Sequence, residues 1–168
     1  MVIMPSFSSL KRTITSVIAV AGLTLPLIAL AGPTNVPLKI SVVTQEKTGL
    51  NPDCPSRFGG TTTGTGKSTH MGKVSIAASD CITPMDNHYA FIGKLTITTA
   101  NGDKLSGDYS GSLIPTDTIP VYSFSNATFQ ITGGTGRFSE ANGSVELQGS
   151  QDIKTGNGKM EADGTISY

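Results

Sequence analysis

The sequence predicts an all-β fold, an eight-stranded antiparallel closed β-barrel. Three observations predict it. Apolar residues recur with a period of two in several runs, and no run after residue 31 carries a helical period. Turn signals separate these runs at hairpin spacing. Glycines fall on the inward parity of three runs, at Gly93, Gly107 and Gly164, where a barrel strand must bend or relieve crowding. A sandwich satisfies the first two observations, but closure also removes exposed edges, which favours the barrel.

The elements follow in order. Residues 1–31 read as a signal peptide: Lys11 and Arg12 precede a charge-free apolar run over 13–30, which ends in Ala29-Leu30-Ala31. The alternative is an uncleaved anchor, since the run is near the minimum length for one; Pro26 would kink such a helix. Cleavage predicts an exported chain, periplasmic or extracellular, with no membrane span. Residues 32–57 read as a lead-in. Val36 to Val43 alternates weakly and suits a strand, whereas 44–58, with Gly49, Asn51, Pro52, Asp53 and Pro55, reads as a loop.

The barrel domain is expected over 58–168. Gly59 to His70 is a Thr-rich strand that runs on into 71–78, where Val74 and Ile76 share a face. In 89–99, Phe91, Gly93, Leu95 and Ile97 face one way, and Asn101-Gly102 supplies a hairpin turn. Leu105, Gly107 and Tyr109 alternate in the return strand. Residues 115–120 form a loop, and 121–131 a long strand whose apolar residues change parity, which predicts a bulge. Val145 and Leu147 share a face. After a turn at 154–158, Met160, Ala162, Gly164, Ile166 and Tyr168 alternate cleanly with polar residues.

The segment 133–143 has four glycines in eleven residues and is expected to be a shaped turn that plugs one barrel end. Within it Gly133, Gly134 and Gly136 supply the turn geometry. Phe138 is expected to be buried, and Arg137 to bond turn carbonyls or pair with Glu140. Together, Gly133-Gly134-Thr135-Gly136-Arg137-Phe138 and Ala141-Asn142-Gly143-Ser144 resemble the glycine-rich signature of the allene oxide cyclase and dirigent-like barrels. Thr69-His70-Met71-Gly72-Lys73 and Ala100-Asn101-Gly102-Asp103 resemble stretches in exported bacterial proteins of that group. The resemblance implies an eight-stranded antiparallel barrel and often a homo-oligomer. It carries over no catalytic residue, because the acidic and aromatic sets of the plant enzymes have no recognisable local counterpart here.

Charge and cysteines narrow the function. Without Lys11 and Arg12 the chain has 10 basic and 12 acidic residues, no basic run and no Trp, so nothing attracts nucleic acid. Cys54 and Cys81 are the only cysteines, and in an exported domain they are expected to form a disulfide. A metal site is disfavoured because only His70 and His88 could join them. Gly64-Thr65-Gly66-Lys67-Ser68 resembles the end of a phosphate loop, but Thr61 stands where the motif needs glycine and no helix follows. Asn126-Ala127-Thr128 and Asn142-Gly143-Ser144 match glycosylation sequons. No cofactor is implied.

Candidate ligand contacts are His70 and the aromatics Tyr89, Phe91, Tyr109, Tyr122 and Phe124, which could line a lumen or simply fill it. His70 admits a proton-transfer role at a barrel mouth. A His bonded to backbone near a strand end is favoured over it, since a lone His lacks catalytic partners. The leading functional expectation is a non-catalytic exported barrel that binds a small apolar ligand or a partner. The competing ones are an isomerase or cyclase acting on a hydrophobic substrate in the lumen, and a purely structural envelope protein. A polar residue facing a lumen cavity favours the enzyme, an apolar lumen with space the binder, and a filled lumen the structural protein.

Overall fold

The computed structural model describes residues 35–168; the expected leader lies outside them. Eight strands follow one another: β1 Val36–Leu50, β2 Phe58–Ser68, β3 Gly72–Pro84, β4 Tyr89–Thr99, β5 Lys104–Pro115, β6 Val121–Gly134, β7 Asn142–Asp152 and β8 Asn157–Ser167. Each pairs antiparallel with the next, and β1 pairs with β8 to close the barrel. The expected fold class holds. One 3₁₀ turn, Gly136–Phe138, is the only helical element among the described residues.

The strands form because inward positions alternate. In β1, Leu38, Ile40 and Val42 are buried between exposed neighbours. In β4, Phe91, Leu95 and Ile97 are buried, and in β8, Met160, Ala162 and Ile166. These residues join Phe129, Ile131, Val145 and Leu147 in one continuous core inside the barrel. The parity change in β6 is a bulge: the ladder to β7 shifts register between Ser123 and Ala127, with Asn126 at φ 47°.

Several boundaries differ from expectation. The Thr-rich run does not continue unbroken into 71–78 but ends at Ser68, and a turn leads into β3 at Gly72; β6 runs past 131 to Gly134. β1 runs on to Leu50, so most of the expected loop 44–58 is barrel wall and only 51–57 is loop. This strand is paired on both sides, and the barrel therefore begins at Val36 rather than at 58. β3 likewise extends past Ala78 to Pro84. In both strands the inward positions simply become polar, at Thr44 and Glu46 in β1 and at Asp80 in β3.

The two ends of the barrel differ. At one end the glycine turn folds inward. Phe138 is fully buried and packs on Tyr168, with ring centroids 5.0 Å apart. Gly136 holds φ 59°, and a Cβ there would fall onto the Asp103 carboxylate, so glycine fits where another residue would be strained and would displace Asp103. Arg137 does not bond within its own turn. It donates to the His70 carbonyl at 2.6 Å and lies over the Phe138 ring, 4.7 Å from its centroid. It thus ties the β2–β3 turn to the plug. At the other end, Cys54 in the β1–β2 loop is bonded to Cys81 of β3, with Cα atoms 5.3 Å apart.

Candidate functional site

The end opposite the plug is open. A cup of about 600 Å³ lies there, lined by the ends of β1 to β5, by β7 and by the β7–β8 turn. Its walls include Phe58, Ile82, Pro84, Tyr89, Leu113 and Ile153. A deeper cavity of about 40 Å³ lies within the lumen and shares Glu46, Ile82, Leu113 and Gln151 with the cup. Glu46 and Gln151 therefore stand at the junction, both buried.

The deep cavity holds a polar cluster in an otherwise apolar core. Asp80 on β3 lies across the ladder from Gly60 on β2 and from Gly93 on β4, and Gly93 in turn pairs with Tyr109 on β5. The two glycines make the cluster possible. A Cβ on Gly93 would sit 2.7 Å from the Asp80 Cβ. Its absence lets the Tyr109 hydroxyl reach over and donate to Asp80 Oδ2. A Cβ on Gly60 would collide with Glu46 Oε1 and sit 3.0 Å from Asp80 Oδ1. The two carboxyl groups thus converge on the space that Gly60 leaves. Asp80 Oδ1 is buried and makes no hydrogen bond among the described residues.

Burial sets the protonation behaviour. The Glu46 carboxyl is pushed up to about 7, first by loss of solvent and then by the negative charge of Asp80. Asp80 is also raised by burial, although the Tyr109 hydroxyl and the Gly60 amide pull the other way. The Tyr109 phenol is driven well above its ordinary range by burial, then by Asp80, and stays a donor. The cluster can hold, share or transfer a proton near neutral pH.

The sequence-derived candidates divide between the two ends. Phe91, Tyr109 and Phe124 line the deep cavity, with Phe91 5.4 Å from Tyr109 and 5.8 Å from Phe124 between ring centroids. Tyr89 lines the cup, and Tyr122 packs against it at 5.5 Å. His70 does not join them. It lies at the plugged end in the β2–β3 turn, at φ 61°, with its ring Nε2 3.1 Å from the Pro37 carbonyl. Glu46, Asp80 and Gln151, the site's main polar groups, are not among the sequence candidates. Their signal was available in principle, because Leu38, Ile40, Val42, Thr44 and Glu46 keep one parity without a break.

Among the described residues no group of three or more His, Cys, Asp or Glu is placed to hold a metal ion. No helix of these residues is long and apolar enough to cross a membrane. Comparison with family models, with curated proteins and with solved structures finds no match.

Proposed function

We propose that this barrel binds a small, mainly apolar molecule through its open end, with a polar end of the ligand directed at Glu46 and Gln151. One observation carries the reading: a cup of about 600 Å³, within the usual size range of small-molecule sites, opens onto two buried polar side chains at one end only. The plug at the other end supports a single route in. The leader-like residues 1–31 support placing this activity outside the cytoplasm, and the glycine-turn resemblance to allene oxide cyclase and dirigent-like barrels is in keeping with a lumen site. Titration of the ¹⁵N-labelled protein with single-chain alcohols, amines and acids tests the proposal. Amide shifts should concentrate at residues 46–48, 82–84 and 151–156; a panel that moves none of them sinks it.

A second reading is an enzyme that moves a proton on its substrate. It is favoured by Glu46, a carboxyl poised near 7 at the cavity junction. Deuterium exchange at the α-carbons of 2-octanone in D₂O, followed by NMR, tests it. Exchange above the buffer rate that is lost in Glu46→Gln supports the enzyme, and exchange equal to buffer removes it for enolisable ketones.

A further inference from the structure

We propose that the ligand of the cup is a cationic amphiphile, an alkyl or aryl amine, whose ammonium head enters the deep cavity between Glu46 and Asp80. The inference rests on the cup being a ligand site and adds the chemistry of the head group.

Three observations lead to it. First, the charge in the lumen is one-sided. The residues lining the deep cavity include two carboxyl side chains and no Lys, Arg or His. Buried carboxyl groups either hold a proton or take a cation as partner, and no cation stands on this wall. Second, an acceptor is left over. Asp80 lines the cavity; its Oδ2 takes the Tyr109 hydroxyl, while its buried Oδ1 has no hydrogen-bond partner among the described residues. A buried acceptor without a donor costs about 1–3 kcal/mol, and more when charged, so a ligand donor there recovers a large term. Third, size and shape fit a small head on an apolar body. The deep cavity of about 40 Å³ takes a compact group and not a ring, while the cup of about 600 Å³ takes the rest.

An ammonium matches this better than a hydroxyl. It brings three donors, where Asp80 Oδ1 and Glu46 Oε1 converge beside Gly60. Its charge also offsets the carboxylates, which a neutral alcohol does not. Phe91, Tyr109 and Phe124 bring aromatic rings to the cavity wall, and ring faces attract cations. A carboxylate ligand would meet like charge in a desolvated site and be rejected. The Lys154 side chain stands at the cup rim, outside the deep cavity, and does not neutralise the floor.

The test is a calorimetric titration of the purified protein with octylamine, 1-octanol and octanoate near neutral pH. Octylamine is expected to bind at least about tenfold more tightly than 1-octanol, and octanoate more weakly than either. The preference should shrink to within about threefold in Asp80→Asn and Glu46→Gln, checked for folding by circular dichroism. Should a variant not fold, carboxyl ¹³C shifts in the wild type supply the second readout: octylamine should move the Asp80 and Glu46 side-chain signals, and 1-octanol should leave the Asp80 signal in place. Equal affinity for amine and alcohol overturns the inference while leaving the cup as a ligand site. An amine preference that survives both substitutions also overturns it, by placing the amine elsewhere. If none of the three binds, the inference falls together with the proposed function.

Discussion

Replacing Glu46 by Gln should change how stability depends on pH, and the size of the effect follows from its burial. The carboxyl goes from 4.5 when solvated to about 7 in the fold. Between these values the folded state holds the proton more tightly than the unfolded chain. More protons bound in the native state means that stability falls as pH rises. The loss starts near 4.5, runs through the interval and is complete just above about 7. At about 1.4 kcal/mol per pH unit, it amounts to about 3 kcal/mol. Glutamine has nearly the same shape and never ionises, so it escapes this loss. Relative to wild type, Glu46→Gln should therefore gain about 3 kcal/mol on going from about pH 4.5 to about pH 8. Asp80 contributes a fall of the same sign in both proteins, so it largely cancels in the difference. Surface groups cancel too. The assay is urea unfolding followed by far-ultraviolet circular dichroism, at several pH values across this range, for both proteins. Parallel stability curves would refute the reasoning, because they would mean that Glu46 titrates as if it were in water.

Other substitutions test other parts of the structure. Tyr109→Phe removes the hydroxyl that donates to Asp80 and should cost about 1–3 kcal/mol above the Asp80 pKa, read from urea midpoints. Phe138→Ala empties a fully buried site in the plug and should cost about 3–5 kcal/mol, whereas a thermal melt near wild type would show that the plug does not hold the barrel. Gly136→Val forces a β-branched residue to φ 59° against Asp103 and should destabilise by about 1 kcal/mol or more, again by thermal melting. Replacing Cys54 and Cys81 together by Ala frees a loop of 27-residue separation and should cost about 3.5 kcal/mol in urea, with the barrel spectrum kept.

The barrel was legible because most of its wall obeys one rule. Where inward positions are apolar, as in β4 and β8, alternation marks the strand and its facing together. The plug was legible for another reason. Its glycines and its single ring are local features, and a fully buried Phe138 behind a turn glycine at positive φ is what they call for. The partner of Arg137 was not legible. It lies 67 residues away in the chain, and only barrel closure brings the β2–β3 turn beside the plug. The end at which His70 lies was not legible for the same reason, since the sequence does not say which end of a barrel a turn occupies; its contact with the Pro37 carbonyl is the backbone bonding favoured for it.

The polar site was hidden by what makes it a site. Reading β1 by its apolar alternation stops the strand at Val43, because Gly49, Asn51, Pro52, Asp53 and Pro55 mark 44–58 as a loop. Reading β3 the same way stops it at Ala78, just before Asp80. Both strands continue, and the polar residues Thr44, Glu46 and Asp80 keep the inward parity beyond those points. The glycines beside them gave an equally misleading signal. Gly60 reads as a weak point in a Thr-rich strand, yet its missing side chain is the space in which Glu46 and Asp80 meet. Gly93 reads as a bend, yet it also clears the path from Tyr109 to Asp80. Each departure from the local rule has a physical cost: a desolvated carboxyl, an acceptor without a donor, a strand without a side chain to pack. They occur together, on neighbouring strands, around one cavity that opens at one end. Independent defects have no reason to gather in this way, whereas a ligand pocket needs them at the same place.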